Sequence, residues 1–206
     1  MKKVLVLIAA TIVSMSAMAQ VQFGIKVGVD ATNFWGKDYV PTTSYDSFPY
    51  IVDHGMHLNY QVGFVMEYKF SPKFAIAPEV VFATQGGKLV FDNPTIIASQ
   101  REITYIVNYI NVPVMLKYYL SPAFSIDLGP QVGFNVYSKE KFGNGDPYDH
   151  KDFTKAVDFG VGLGGIYNLT DNAFIQARYT MGMTKVFKSD IDCKNSNIQL
   201  ALGWKF

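Results

Sequence analysis

Eight segments of this chain alternate apolar with small or polar side chains at a period of two, and the connections between them are alternately short and long. A period of two puts successive side chains on opposite faces of a β-strand. The segments are Gln22–Asn33, His57–Phe70, Phe74–Gln85, a run ending at Leu120, Phe124–Tyr137, Ala156–Tyr167, Ala173–Met183 and the C-terminal run to Phe206. Ser71–Lys73, Ser121–Ala123 and Asn168–Asn172 read as tight turns, while 35–56, 86–102, 138–155 and 184–195 read as long loops. Strands of about 9–11 residues cross a bilayer when tilted. The pattern predicts an all-β fold, an eight-stranded antiparallel up-and-down transmembrane β-barrel with both chain ends on the short-turn side.

Alternation alone does not say which face is inside. A water-filled environment outside would call for Lys and Glu there. Instead, the less apolar face is rich in Gly, Ala, Asn and Gln, which suits the narrow interior of a small barrel. The apolar face carries Phe23, Tyr68, Phe70, Phe74, Tyr118, Phe124, Trp204 and Phe206 near the turns. Tyr60, Phe82, Phe134, Phe159 and Tyr179 lie nearer the loops. These read as two interfacial girdles, with the apolar face toward lipid. Composition fits: 15% of residues are aromatic and only 17% charged, against about 25% charged in ordinary soluble domains. After the first twenty residues no apolar run approaches the ~18 needed for a helical span.

Residues 1–19 read as a cleaved secretory signal peptide, leaving 20–206 as the barrel domain. Lys2 and Lys3 are its basic region, Val4–Val13 its apolar region and Ala17-Met18-Ala19 its cleavage site. No Cys follows that site, which argues against a lipoprotein. The single Cys, Cys193, excludes an intramolecular disulfide and reads as a leftover thiol. A net charge of +1 leaves no electrostatic footprint for nucleic acid.

The non-apolar face carries five cations (Lys26, Lys69, Lys117, Arg178, Lys205) and five anions (Asp30, Glu67, Glu79, Asp127, Asp158). Unpaired, each would be costly to bury. The balance predicts an interior charge network built from Lys26, Asp30, Glu67, Glu79, Lys117, Asp127, Asp158 and Arg178, with Lys69 and Lys205 at the wet rim. Since an eight-stranded lumen is just wide enough for side chains to fill, the interior is expected to be plugged.

Few motifs suggest chemistry. Gly160, Gly162 and Gly165 match G-x-G-x-x-G, but a strand follows them where a nucleotide site needs a helix. His54, His57 and His150 are the only histidines, and partners such as Ser47, Asp53 and Asp149 could complete a lipid-modifying hydrolase, but loops are full of such residues. Asn144, Asp146, Asp149 and Asp152 could offer oxygens to Ca²⁺, but their spacing misses the EF-hand and Pro147 interrupts it. No catalytic, cofactor or metal residue is assigned, and the chain is not expected to be an enzyme. Asn168-Leu169-Thr170 is a sequon inside a tight turn. Leu89, Val90 and Phe91, with Ile103, Tyr105, Val107 and Tyr109, carry two strands beyond the membrane span. The apolar parity switches at Tyr109-Ile110, which predicts a bulge. Such a hairpin either adds a strand to another chain or packs on its own loops. Tyr39, Tyr45, Phe48 and Tyr50 add aromatic contacts in the first loop.

Tyr109-Ile110-Asn111-Val112-Pro113-Val114-Met115-Leu116-Lys117-Tyr118-Tyr119, followed by Leu128-Gly129-Pro130-Gln131-Val132-Gly133, resembles the porin-like, PorT-like outer-membrane β-barrel proteins. These are similar in architecture to small OmpA- and OmpX-type barrels. The C-terminus, with Gln199, Trp204 and Phe206, is similar to the outer-membrane assembly signal, although Ala201 stands where Gly is usual. The resemblance implies an outer-membrane location, contact with its lipid and insertion by the assembly machinery. The expected protein is a monomer, a plugged structural or surface-interaction barrel that meets a surface protein partner through its long loops. A narrow solute channel is the alternative, and a lipid-modifying enzyme or secretion-assembly factor a remote one.

Overall fold

The computed structural model describes residues 21–36, 52–91, 102–142, 145–149, 151–188 and 193–206. Residues 1–19, the aromatics of the first loop, Ser47, Asn144 and His150 lie outside the described residues.

Ten strands follow in chain order: β1 (Val21–Trp35), β2 (Val52–Gly55), β3 (His57–Lys69), β4 (Phe74–Phe91), β5 (Glu102–Tyr119), β6 (Phe124–Phe142), β7 (Tyr148–Asp149), β8 (Val157–Asn168), β9 (Ala173–Gly182) and β10 (Lys194–Lys205). Eight of them form a closed antiparallel ring, β1-β3-β4-β5-β6-β8-β9-β10, in which β1 meets β10 with Val29 opposite Leu200. Closure leaves the barrel wall without a free edge. The short strands β2 and β7 pair with β4 and β6 at the loop end.

The three tight turns share one device. Ser71, Ser121 and Thr170 each accept a hydrogen bond at the side-chain oxygen from the amide three residues on: Phe74 at 3.0 Å, Phe124 at 3.0 Å and Ala173 at 2.9 Å. A hydroxyl that mimics the backbone acceptor fixes a short reversal.

Burial settles which face points outward. Leu128, Leu163, Leu200 and Leu202 expose 54, 57, 54 and 58% of their surface, while Lys26, Asp30 and Arg178 expose 1, 0 and 3%. That inverts the order in a water-soluble domain. The apolar girdle carries tilted ring pairs, with Phe74 5.0 Å from Tyr118 at the turn end and Tyr60 6.5 Å from Phe82 toward the loops.

The wall is uneven in height. β4, β5 and β6 have 18, 18 and 19 residues, whereas β8 and β9 have 12 and 10. The excess of some eight residues, at about 3.3 Å each, raises a three-stranded blade roughly 25 Å along the strands. At its base Gly86 adopts φ +131° with its α-carbon against the Tyr105 carbonyl, a conformation and an approach that a side chain would not allow. The bulge falls on β6: Asn108 opposes Tyr137 and Tyr109 opposes Asn135, leaving Val136 unmatched. β5 keeps its geometric alternation through this point, with Val107, Tyr109 and Asn111 all buried. The parity switch is thus chemical, because the inward face of β5 itself turns apolar at this height, with Val107 and Tyr109. Of the two readings of the protruding hairpin, pairing within the chain is what these positions show: β2 covers Lys88–Phe91 of β4, and β7 covers Lys139 and Glu140 of β6.

Candidate functional site

Inward-facing residues of alternate strands stack in layers inside a small barrel. From the turn end upward, four layers fill this lumen, and most of the expected charges fall into two of them.

The first layer draws on β3, β5, β8 and β10. Lys117 Nζ lies 2.5 Å from Glu67 Oε2, the Tyr119 hydroxyl donates to Glu67 Oε1, and Lys205 Nζ stands 3.8 Å from Oε2. Lys205 also donates to Asn168 Oδ1 at 3.1 Å. Lys69, partly exposed, lies 3.8 Å from Glu67 and 4.6 Å from the centre of the Tyr119 ring. Ile166 of β8 completes the layer and is buried. Lys205 is therefore not at the wet rim, where sequence placed it: its side chain is only 9% exposed.

The second layer takes one charge from each of the other four strands, β1, β4, β6 and β9. Lys26 Nζ donates to Glu79 Oε2 at 2.6 Å and to Gln176 Oε1 at 2.8 Å. Arg178 holds both Glu79 oxygens, at 3.0 and 2.8 Å, and Asp127 Oδ2 at 2.6 Å. The fork of the guanidinium suits this two-carboxylate grip. All four charged groups are buried, and they balance.

The third layer is polar and negative. Asp30 and Asp158 do not join a cation here: among the described residues neither forms an ion pair. Asp30 accepts from Gln61 Nε2 at 2.6 Å. Asp158 accepts from Thr184 Oγ1 and from Asn195 Nδ2, the latter at 2.8 Å. Their carboxylates are held by neutral donors, with no Lys or Arg among the described residues within ion-pair distance of them.

The fourth layer is apolar. Phe34, Val186, Phe187 and Cys193 form a buried cluster with Tyr105 against it. Tyr105 and Phe187 have ring centres 5.1 Å apart, and Phe34 lies 6.0 Å from Phe187. The Tyr105 hydroxyl donates to Glu140 at 3.0 Å. Burial, then the Glu140 carboxylate, push that hydroxyl above the usual tyrosine range, so it stays a donor. The segment carrying Val186 and Phe187 is pinned by backbone bonds to Cys193 and Lys155 and by the bridge from Phe187 to Thr154.

Sequence reasoning left Tyr119 and Gln176 out of the charge network and missed this apolar cluster. The first two share the inward parity of Lys117 and Arg178, so alternation puts them on the right face but does not show their bonds to the charges. Val186 and Phe187 sit between strands, where alternation gives no signal. Replacing Tyr119 with Phe should cost about 1–2 kcal/mol, because Glu67 loses a buried donor; urea unfolding in lipid vesicles would measure it.

Little of the remaining inventory is placed for chemistry. His57 Nδ1 lies 3.0 Å from Asn59 Oδ1, an amide and not an acid. Asp149 caps the Lys151 amide at 2.9 Å, and Asp146 and Asp152 are exposed. Among the described residues no three His, Cys, Asp or Glu side chains converge. Gly160, Gly162 and Gly165 lie within β8, with no helix after them. Gln199 is buried in the lumen, while Trp204 and Phe206 face outward.

The fold resembles those of solved outer-membrane barrels. Neisserial surface protein A shares 12% identity at a TM-score of 0.56, covering 89% of this chain and 97% of that one. The attachment invasion locus protein of Yersinia pestis shares 15%, at a TM-score of 0.49, over 91% and 99%. OprG of Pseudomonas aeruginosa shares 12%, at 0.43, over 91% and 96%. No curated protein matches the sequence. A family model for the outer membrane protein beta-barrel domain matches residues 14–188. With its lipid-facing leucines, closed ring and charged interior, this chain belongs to the outer membrane protein beta-barrel domain family and is an integral protein of the outer membrane.

Proposed function

We propose that this protein is a closed barrel, an anchor that displays a β-blade and its loops at the cell surface for contact with a partner, and that it does not conduct solutes. The observation that carries the reading is the second layer. Lys26, Glu79, Asp127 and Arg178 come from alternate strands around the ring and meet in the middle through bonds of 2.6–3.0 Å. The apolar cluster of Phe34, Val186 and Phe187 supports it by blocking the lumen a second time, toward the loops. The tall blade of β4, β5 and β6 supports the display role, since outer-membrane barrels point short turns to the periplasm and long loops outward. Its paired edges favour contact through loops over strand addition. Gln199, Trp204 and Phe206 fit the same reading as the segment offered to the assembly machinery.

The purified barrel, reconstituted in planar bilayers, should give no steady openings. Regular openings of substantial conductance would overturn the closed reading in favour of a narrow channel.

A further inference from the structure

The two charged layers differ in balance, and the difference opens toward the periplasm. The second layer sets two cations against two anions. The first has the same four-strand construction, but Ile166 stands where the second layer would set another carboxylate. Lys117 and Lys205 therefore share Glu67 alone, and Lys69 adds a third ammonium within 3.8 Å of the same group. Glu67 is already saturated at short range by Lys117 and by the Tyr119 hydroxyl. What remains for Lys205 and Lys69 is neutral: the Asn168 amide oxygen, and the faces of Phe174 and Tyr119.

Directly beneath this layer the barrel mouth forms a cavity of about 680 Å³. Its charged lining is Lys69, Lys73 and Lys205 against Asp171. Excess positive charge in a concave site with low-dielectric walls draws counter-ions. A buried ammonium that lacks a counter-charge is stabilised by any anion that reaches it.

We propose that the periplasmic mouth is a binding site for an oxyanion group, a phosphate or carboxylate on a soluble periplasmic solute, held between Lys205 and Lys69. Lys205 is the inner contact, and Lys69 and Lys73 close over the outer side. The site stands whether or not the lumen conducts, because it lies on the turn side of the plug.

The test is thermal unfolding of the whole barrel in zwitterionic lipid. Inorganic phosphate, and separately citrate, are compared with chloride at matched ionic strength, which removes general screening. Phosphate or citrate should raise the midpoint by about 2–4 °C over chloride. Lys205→Gln should abolish that difference. Ile166→Glu, which supplies the second carboxylate from within, should abolish it too. Should Ile166→Glu fail to fold, Lys205→Gln with Lys73→Gln carries the test alone. Equal midpoints in phosphate, citrate and chloride overturn the proposal. So does a phosphate effect that survives Lys205→Gln, or a shift that anionic phospholipid produces and soluble anions do not.

Discussion

Replacing Arg178 with Leu should destabilise the folded barrel by about 3–5 kcal/mol, the usual cost of removing one partner from a buried ion pair. The size follows from what stays behind. Arg178 makes two bonds to Glu79 and one to Asp127, and all three groups are buried. Without it Lys26 alone faces two carboxylates, and it reaches only Glu79. Asp127 would keep a single long bond, 3.4 Å from Gln176 Nε2. Urea unfolding in lipid vesicles would read the loss. A second substitution separates charge from packing. Asp127→Asn in the Arg178→Leu background restores one cation to one anion, so it should recover part of the stability although it adds no apolar contact. If the layer acts as a unit, the two effects will not add. An unchanged urea midpoint for Arg178→Leu would show that water reaches the layer, and the closed lumen would fall with it.

The same layer marks how far the sequence could be read. That Lys26, Glu79, Asp127 and Arg178 point inward follows from alternation, because each shares parity with small or polar neighbours and opposes residues such as Ile25, Val80, Leu128 and Tyr179. The three hydroxyl-anchored turns were legible for a similar reason: Ser71, Ser121 and Thr170 are local signals. Who pairs with whom was not legible. Lys26 and Glu79 are 53 residues apart and Glu79 and Arg178 are 99 apart, so their meeting depends on strand order and stagger. Eight inward charges, with Lys69 and Lys205 set at the rim, read as one network in sequence. In space they are sorted by height, positive at the turns, balanced in the middle and negative around Asp30 and Asp158. The blade was partly hidden for a related cause. Above Tyr109 the interior mixes apolar Val107, Val186 and Phe187 with polar Ser138 and Thr154, so the polar–apolar contrast fades while the pleat continues.

Leu200→Arg should cost about 2–4 kcal/mol, and Leu169→Arg no more than about 1 kcal/mol, although both leucines are exposed to a similar degree. Leu200 exposes 54% and Leu169 53%, so an account based on accessibility in water predicts the same small effect for both. Depth separates them. Leu200 lies mid-strand in β10, flanked by Val29 on β1 and Ala177 on β9, at the level of the hydrocarbon core. An arginine there must leave water or thin the bilayer to reach it. Leu169 sits in the β8–β9 turn, where its amide bonds to the Ala173 carbonyl at 2.8 Å and a long cation reaches the headgroups freely. The comparison needs both variants in the same vesicles, since detergent has no fixed depth. A large cost at Leu200 alone is the signature of a wall bathed in lipid. Equal small costs at the two sites would mean that the apolar face meets water, and the membrane-spanning arrangement would be wrong despite the closed ring.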